Sequence, residues 1–465
     1  MLERAFGLST DLYELTMAAA YFQAGAGHRA TFELFVRSLP PNRSYLIAAG
    51  LEQVLDYLSN LSFTRDQIEY LRRLQTFKGV SSDFFEYLGQ LRFSGDVWAM
   101  PEGAAAFAME PFLRVEAPII EAQIVETFLL SVINFETLVA SKAARVVTAA
   151  RGRGVVDFGT RRAHGSEAGL LAARAAYIGG CMGTSNVEAG YLFGIPVFGT
   201  MAHSFVMSFD DEMEAFRAFL RVFPDTATLL VDTYDTLGAI ERIARELGPG
   251  IPAIRLDSGD LAELSHKARA LLDRAGMSST KIFASGDLNE YRIADLINRG
   301  APIDAFGVGT ELVTSYDAPA LGGIYKLVGQ WLDGHLRMRV KLSQEKATYP
   351  GPKQVWRLIG PDGRYLGDVV ALADEAQPAP SARPLLEQVM VAGKAIGQYA
   401  DRSREARRAR LDEARSRAAR ELERLPPELL SINSQASYPV NFSQKLECAR
   451  ARLQEQMVAP DRASG

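Results

Sequence analysis

Only five histidines occur in 465 residues, and one of them, His203, sits in GTMAHSF directly after the apolar run IPVF. Imidazole titrates near neutral pH and can act as base, nucleophile or metal ligand. No HxxH or HExxH spacing accompanies it, so nothing in the pattern supports a metal site. With Thr200 and Ser204 beside it, His203 reads as a functional group, the alternative being a hydrogen-bonded structural histidine. SGDL occurs twice, at 258–261 and 285–288, and FGVGT follows at 306–310. Ser285, Gly286, Gly307, Gly309 and Thr310 therefore lie where small residues let backbone N–H groups approach a phosphate. The same residues also make ordinary helix caps and tight turns.

Charged residues cluster at the same kind of position. Asp232, Asp235, Asp257, Asp260 and Asp287 each follow an apolar run. Singly, each can cap a helix; together they could hold Mg²⁺ beside a polyphosphate or face a developing cation. Arg161, Arg162 and Arg255 are the opposing charges. Such an arginine either pairs with one of the aspartates or offers its planar fork to a carboxylate or phosphate.

These residues need elements that bring them together. Between about 154 and 310 the runs VVDFGTRR, GGCMGTSN, IPVFGTMAHS, TLLVDTYDT, AIRLDSGDL, KIFASGDLN and AFGVGTELV are each followed by a helical pattern. That alternation predicts parallel strands with helical crossovers. An open doubly wound sheet would concentrate function at one switch point, whereas a (β/α) barrel gathers every strand end around one mouth. Because functional residue types follow all seven runs, the barrel is the expected arrangement.

The flanking segments differ in texture. Residues 1–134 read as a mixed α+β domain, 135–328 as the barrel-like catalytic domain, and 329–465 as a helical C-terminal extension that packs back on the first domain. The extension contains a strand pair around LDGH, a Pro-rich linker EAQPAPSARP and the run RSREARRARLDEARSRAARELERL, which reads as a solvated helix. SYPVNFS reads as a tail pinned to the surface.

Composition narrows the function classes. The formal net charge is −5 and no block of Lys and Arg that would neutralise many phosphates along a nucleic-acid backbone is found, which argues against nucleic acid. Cys181 and Cys448 stand far apart without CxxC spacing, so neither a disulfide framework nor a zinc site is expected. No 18-residue apolar stretch occurs, and MLERAFGLSTDLYELTM lacks the apolar core of a signal peptide. A cytoplasmic protein with no membrane partner is expected.

Long ordered stretches then carry a resemblance. LSTDLYELTMAAAYF, PEGAAAFAMEP with APIIEAQIVET, FGTRRAHG, GTSNVEAG, GTMAHSF, IRLDSGDL, and FGVGTELVTS with GGIYKLV, spread over residues 8–328, resemble the nicotinate phosphoribosyltransferases of NAD salvage. The resemblance implies an irregular (β/α) barrel, a homodimer with shared active sites, and ATP-coupled synthesis of nicotinate mononucleotide from nicotinate and 5-phosphoribosyl 1-pyrophosphate (PRPP).

By the same resemblance His203 is phosphorylated by ATP, and Tyr13 stacks on the pyridine ring with Phe158 on its other face. Thr200, Arg255 and Arg161 hold the nicotinate carboxylate, and Ser285, Gly286, Gly307, Gly309 and Thr310 bind the sugar phosphate. Asp232 and Asp257 lie near the ribose, and Mg²⁺ assists the leaving pyrophosphate, with its ligands unassigned. Nicotinamide-using relatives have an Asp where this chain has Ser185 in GTSN, so Ser185 favours an acid substrate. A nicotinamide or quinolinate enzyme and a non-catalytic phosphosugar-binding barrel are the competing readings.

Overall fold

Each apolar run between 154 and 310 is short enough to build a buried strand and ends in residues that turn the chain. In the computed structural model, which describes residues 5–341 and 348–458, six of the seven runs form strands. These are Gly154–Asp157, Gly183–Thr184, Thr228–Leu230, Ala253–Leu256, Lys281–Ala284 and Ala305–Val308. All of their pairings are parallel. Val197, in the remaining run, forms a single parallel bridge to Thr184.

Strand order distinguishes the two arrangements. Along the sheet it runs Gly183–Thr184, Gly154–Asp157, Ala305–Val308, Lys281–Ala284, Ala253–Leu256, Thr228–Leu230. Except across the Val197 segment, successive strands are neighbours, and the last pairs with the first. That cyclic order differs from the reversal of a doubly wound sheet. The ring does not close by hydrogen bonding, because among the described residues no ladder joins the Val197 segment to Thr228–Leu230. On its other side the segment is held by the bonds of Thr184 N–H to the Pro196 carbonyl and of Phe198 N–H to the Thr184 carbonyl. What forms is therefore an open six-stranded parallel sheet with helices between its strands.

These strands and helices make up one unit, Leu138–Pro319. The other unit comprises Met1–Thr137 and Ala320–Gly465. It is built on a seven-stranded sheet in which Arg29–Val36 pairs antiparallel with both Pro111–Pro118 and Gly323–Leu332. The LDGH segment turns a hairpin between Gly323–Leu332 and His335–Met338, with Asp333 and Gly334 both at positive φ as a tight hairpin turn requires.

Beyond residue 329 the helical expectation is corrected. Lys353–Ile359, Tyr365–Leu372, Ala382–Pro384 and Val440–Phe442 form a second sheet of four strands, and among the described residues there only Arg404–Arg424 and Gln444–Val458 are α-helices. Nor is the Arg-rich helix merely solvated. Leu411, Ala414, Ala418 and Glu421 are buried on one face, and Arg407 and Arg410 form bidentate pairs with Asp56 and Glu52. The opposing Gly103 admits this close approach, since a Cβ there would stand 2.0 Å from the Ala414 carbonyl oxygen. Glu421 accepts from Arg357, which is fully buried and forks onto Asp368. In SYPVNFS the buried Tyr438 stacks on Phe107 at 3.8 Å and pins the tail, while Ser437, Pro439 and Asn441 stay exposed.

Among the described residues no helix is long and apolar enough to cross a membrane. The first four residues of the opening segment and the last seven of the extension lie outside the described residues.

Candidate active site

Arg255 occupies the third position of Ala253–Leu256, a strand buried along nearly its whole length. All three types of guanidinium nitrogen are engaged. Nε donates to Ser285 Oγ at 2.7 Å, Nη1 to Thr200 Oγ1 at 2.8 Å and Nη2 to Asp257 Oδ1 at 2.7 Å. Ser285 in turn donates to Asp257 Oδ1 at 2.5 Å. Three of five N–H groups are thus used within the protein, and two remain for a ligand. The Arg–Asp pairing and the anion-binding reading therefore hold at once.

Asp257 shows the balance of forces here. Burial opposes its ionisation, but the Ser285 hydroxyl, the Arg255 cation and nearby His203 together hold its carboxyl below the usual range. The carboxylate is therefore charged at neutral pH, and Arg255 is neutralised without losing its remaining donors.

Phe158 forms a wall beside the guanidinium. Its ring centroid lies 5.6 Å from the Arg255 guanidinium carbon and 5.5 Å from the Phe283 ring. Strand register brings these groups together, because Phe283 pairs with Arg255 on the adjacent strand. Gly307 sits inside Ala305–Val308, where a Cβ would come 2.7 Å from the Phe158 ring. Its place is beneath the aromatic wall.

His203 opens the short helix His203–Met207, its side chain 41% exposed. Nε2 lies 3.3 Å from Asp232 Oδ1. The other Asp232 oxygen accepts from the Asp257 backbone N–H at 2.9 Å and from Ser258 Oγ at 2.7 Å. Asp232 is thereby committed to orienting His203 and to tying its own strand end to the first SGDL turn.

The two SGDL turns touch. Gly286 has φ +93°, and a Cβ on it would stand 2.0 Å from the Asp257 carbonyl oxygen, so only glycine fits. Both turns line a cleft of ≈ 700 Å³ that includes Asp257, Gly286 and Asp287. Asp260 caps Leu261–Arg274 and pairs with Arg299, which is its ordinary structural role. Asp235 stands at the N-cap of Thr236–Glu246. Gly309 precedes Thr310, the first residue of Thr310–Val313, at the end of the neighbouring strand.

Not every expected residue joins this set. Arg161 lies exposed in the turn Thr160–Arg162, outside the Arg255 hydrogen-bond network among the described residues. Tyr13 belongs to the other unit, where it is 47% exposed; burial, then Glu126 and Glu14, pushes its phenol upward. Ser185 donates its backbone N–H to the Asp157 carbonyl at 2.8 Å.

Asp157 itself was not singled out from the sequence. It is buried, accepts from Thr184 Oγ1 at 2.7 Å and from the Gly159 N–H at 2.8 Å, and so fixes the two turns that carry Phe158 and Ser185. Burial raises its carboxyl, and these two bonds oppose that rise. It could have been found, since it ends its strand as Asp232 and Asp257 follow theirs.

Mg²⁺ can be tested against these carboxylates. No cluster of three or more His, Cys, Asp or Glu residues suited to a metal occurs among the described residues. Asp257 hydrogen-bonds through Oδ1, and Asp287 is exposed on the same cleft. That donor set fits a Mg²⁺ ion that takes one or two carboxylates and completes its shell with water and substrate phosphate.

Parallel strand ends that converge an aspartate-oriented histidine, an aromatic wall, a neutralised arginine fork and glycine turns define an α/β enzyme for an anionic substrate. Known proteins narrow that class. Residues 8–134 match the nicotinate phosphoribosyltransferase (NAPRTase) N-terminal domain, and residues 154–327 match the nicotinate phosphoribosyltransferase (NAPRTase) family. Nicotinate phosphoribosyltransferase pncB2 of Mycobacterium tuberculosis is 49% identical over 452 residues, covering 96% of this chain and 93% of the relative. The Bacillus subtilis nicotinate phosphoribosyltransferase is 47% identical over 391 residues, covering 81% and 79%. The crystal structure of human nicotinic acid phosphoribosyltransferase superposes with a TM-score of 0.83 at 30% identity, covering 96% of this chain and 99% of that one. The chain belongs to the nicotinate phosphoribosyltransferase family.

Proposed function

We propose that the protein joins nicotinate to PRPP, releasing nicotinate mononucleotide and pyrophosphate, as an ATP-coupled step of NAD salvage. The observation that carries this reading is the Arg255 fan: a neutralised guanidinium beside the Phe158 ring, with two N–H groups left for a planar aromatic acid. The cyclic strand order supports reading the Leu138–Pro319 unit as an irregular, open (β/α) barrel.

The pyridine nitrogen of nicotinate carries a lone pair at neutral pH, so attack on the anomeric carbon needs no general base. The C–O bond to pyrophosphate breaks as the C–N bond forms, and positive charge develops on the ribose. Asp257, ionised and fixed by Arg255 and Ser285, faces that charge, while the glycine turns hold the 5-phosphate. Mg²⁺, held by Asp257 and Asp287 with substrate phosphate, would supply charge neutralisation of the pyrophosphate. Ser185 places no charge against the nicotinate carboxylate.

ATP coupling falls to His203. Donation of Nε2–H to Asp232 leaves the Nδ1 lone pair to attack the γ-phosphorus, forming an N–P bond as ADP leaves. A phosphorylated state with higher affinity for PRPP then couples ATP to substrate capture, and hydrolysis of the phosphohistidine resets it. Half-exposed Tyr13 is assigned to the neighbouring subunit's site in a homodimer, an assignment that a monomer in sedimentation analysis would remove. A cytoplasmic location suits the two free cysteines.

The test is a product assay with purified protein, nicotinate, PRPP and Mg²⁺, with and without ATP. Nicotinate mononucleotide and pyrophosphate in equal amounts support the reading. Turnover of nicotinamide in place of nicotinate would move the substrate, and PRPP binding without pyrophosphate release would reduce the protein to a binding module.

A further inference from the structure

A second charged cluster lies in the same unit, apart from the Arg255 fan. The Lys142 side chain is fully buried, and its ammonium lies 2.6 Å from Glu290 Oε2, 2.9 Å from Asp317 Oδ1 and 3.8 Å from Glu311 Oε2. Arg145, one turn along the same helix, adds Nε to Glu290 Oε1 at 3.1 Å and Nη2 to Tyr291 Oη at 3.2 Å. An ammonium has three donors, and here they face three carboxylates.

Those carboxylates come from two different strand ends. Glu290 opens the helix Glu290–Asn298, immediately after the turn that contains Ser285, Gly286 and Asp287. Glu311 follows Thr310 in Thr310–Val313, and Asp317 lies just beyond it. The strands that feed these turns, Lys281–Ala284 and Ala305–Val308, are parallel neighbours. Lys142 therefore lies between the segments that follow the Ser285–Gly286 turn and the Gly309–Thr310 turn, hydrogen-bonded to Asp317 and ion-paired with Glu290 and Glu311.

A buried ammonium is costly unless its partners compensate it, and carboxylates gathered this closely repel one another unless a cation separates them. Glu311 registers this balance: burial pushes its carboxyl upward, Lys142 opposes that rise, and the neighbouring Glu290 and Asp317 add to it. Without the cation, Glu290 on one turn and Glu311 with Asp317 on the other would push the turns apart. Thr200 and Arg255 do not bond to this cluster, and Arg255 meets the two turns only through Ser285, so the disturbance falls directly on the sugar-phosphate turns and reaches the carboxylate site only at second hand.

We propose that Lys142 is a positioning residue that fixes the spacing of the two turns that hold the sugar phosphate, by bridging Glu290 to Glu311 and Asp317. The proposal rests on the reading of those turns as the PRPP site. Lys142 touches no substrate and acts through the turns alone.

The experiment is steady-state pyrophosphate release by the full-length protein with PRPP and nicotinate varied in turn, alongside thermal unfolding. Lys142→Met keeps the volume and removes the charge; it should raise KM for PRPP roughly tenfold or more while KM for nicotinate moves less than about threefold. Adding Asp317→Asn to it removes one of the repelling carboxylates and should recover part of the PRPP affinity. Unchanged KM for PRPP with earlier unfolding, a parallel rise in both KM values, or no recovery in the double variant would each overturn the proposal. If Lys142→Met fails to fold, Asp317→Asn alone decides it, because its side chain is only 22% exposed and holds one arm of the bridge. A selective rise in KM for PRPP supports the proposal, and wild-type kinetics there overturn it. A wild-type protein that shows no saturable PRPP dependence would instead fail at the functional reading, before Lys142 is in question.

Discussion

Replacing Arg255 with alanine removes the centre of the substrate-side network. Within the protein it deletes three hydrogen bonds, leaving Thr200 Oγ1 and Ser285 Oγ without their donor and Asp257 without its cation. Towards the ligand it removes the two remaining N–H groups. Hydrogen bonds to charged groups are worth about 1.5–3 kcal/mol each, so losing two from the nicotinate carboxylate should cost about 3 kcal/mol or more. That corresponds to a roughly hundredfold rise in KM for nicotinate. Asp257 is the offset, since a carboxylate stripped of its arginine repels an acid substrate further. The assay is nicotinate saturation at fixed, saturating PRPP, with thermal unfolding measured in parallel to count folded protein. Arg255→Lys should shift KM in the same direction by less, because a point-like ammonium cannot reach Ser285, Thr200, Asp257 and the ligand together. An unchanged KM for nicotinate in folded Arg255→Ala would refute the carboxylate assignment and make exposed Arg161 the next residue to test.

Other perturbations probe different parts of the account. His203→Ala should abolish PRPP-dependent ATP hydrolysis and leave the unfolding midpoint close to wild type, as its side chain is 41% exposed and its one hydrogen-bond partner keeps other donors; ATP turnover in the variant, followed as phosphate release, would contradict it. Gly307→Ala should displace the Phe158 ring, because the new Cβ would come within 2.7 Å of it, and should raise KM for nicotinate more than KM for PRPP. Glu14 is buried, its Oε2 has no hydrogen-bond partner among the described residues, and burial pushes its carboxyl up to about 7. A raised folded-state pKa makes the ionised form the costly one, so this group removes stability as pH rises from 4.5 to about 7, by up to about 3 kcal/mol, and removes none below 4.5. Glu14→Gln should flatten that part of the stability-versus-pH curve, measured by denaturant unfolding at pH 5 and pH 7; an unaltered slope would show that Glu14 does not titrate there.

The parallel strands were legible because their runs are short, apolar and followed by Gly, Ser, Thr or Asp, a pattern set by local sequence. The incomplete ring was not, since the run IPVF is as apolar as the others and yet forms only a single bridge. The strands beyond residue 329 were harder still. Gly323–Leu332 pairs with Arg29–Val36, which lies in another part of the chain, and nothing local in either segment names its partner. The Arg-rich helix misled for a related reason: composition shows many arginines, but only the fold shows that Arg407 and Arg410 meet Asp56 and Glu52.

At the site, residue types were readable and the division of labour was not. Asp232 and Asp257 have equivalent sequence positions, yet one is spent on His203 and the first SGDL turn and the other on Arg255. Ser285 was expected at the phosphate, and its hydroxyl proves to connect Arg255 with Asp257. Lys142 lies far in sequence from Glu290, Glu311 and Asp317, so its contacts with them follow only from packing.

The central claim is that this chain makes nicotinate mononucleotide from nicotinate and PRPP, and chromatographic detection of products from purified protein tests it most directly. Nicotinate mononucleotide and pyrophosphate should appear in equal amounts, with ATP lowering the PRPP concentration needed. Consumption of PRPP with nicotinamide but not nicotinate, or no nucleotide product at any PRPP concentration, would contradict it.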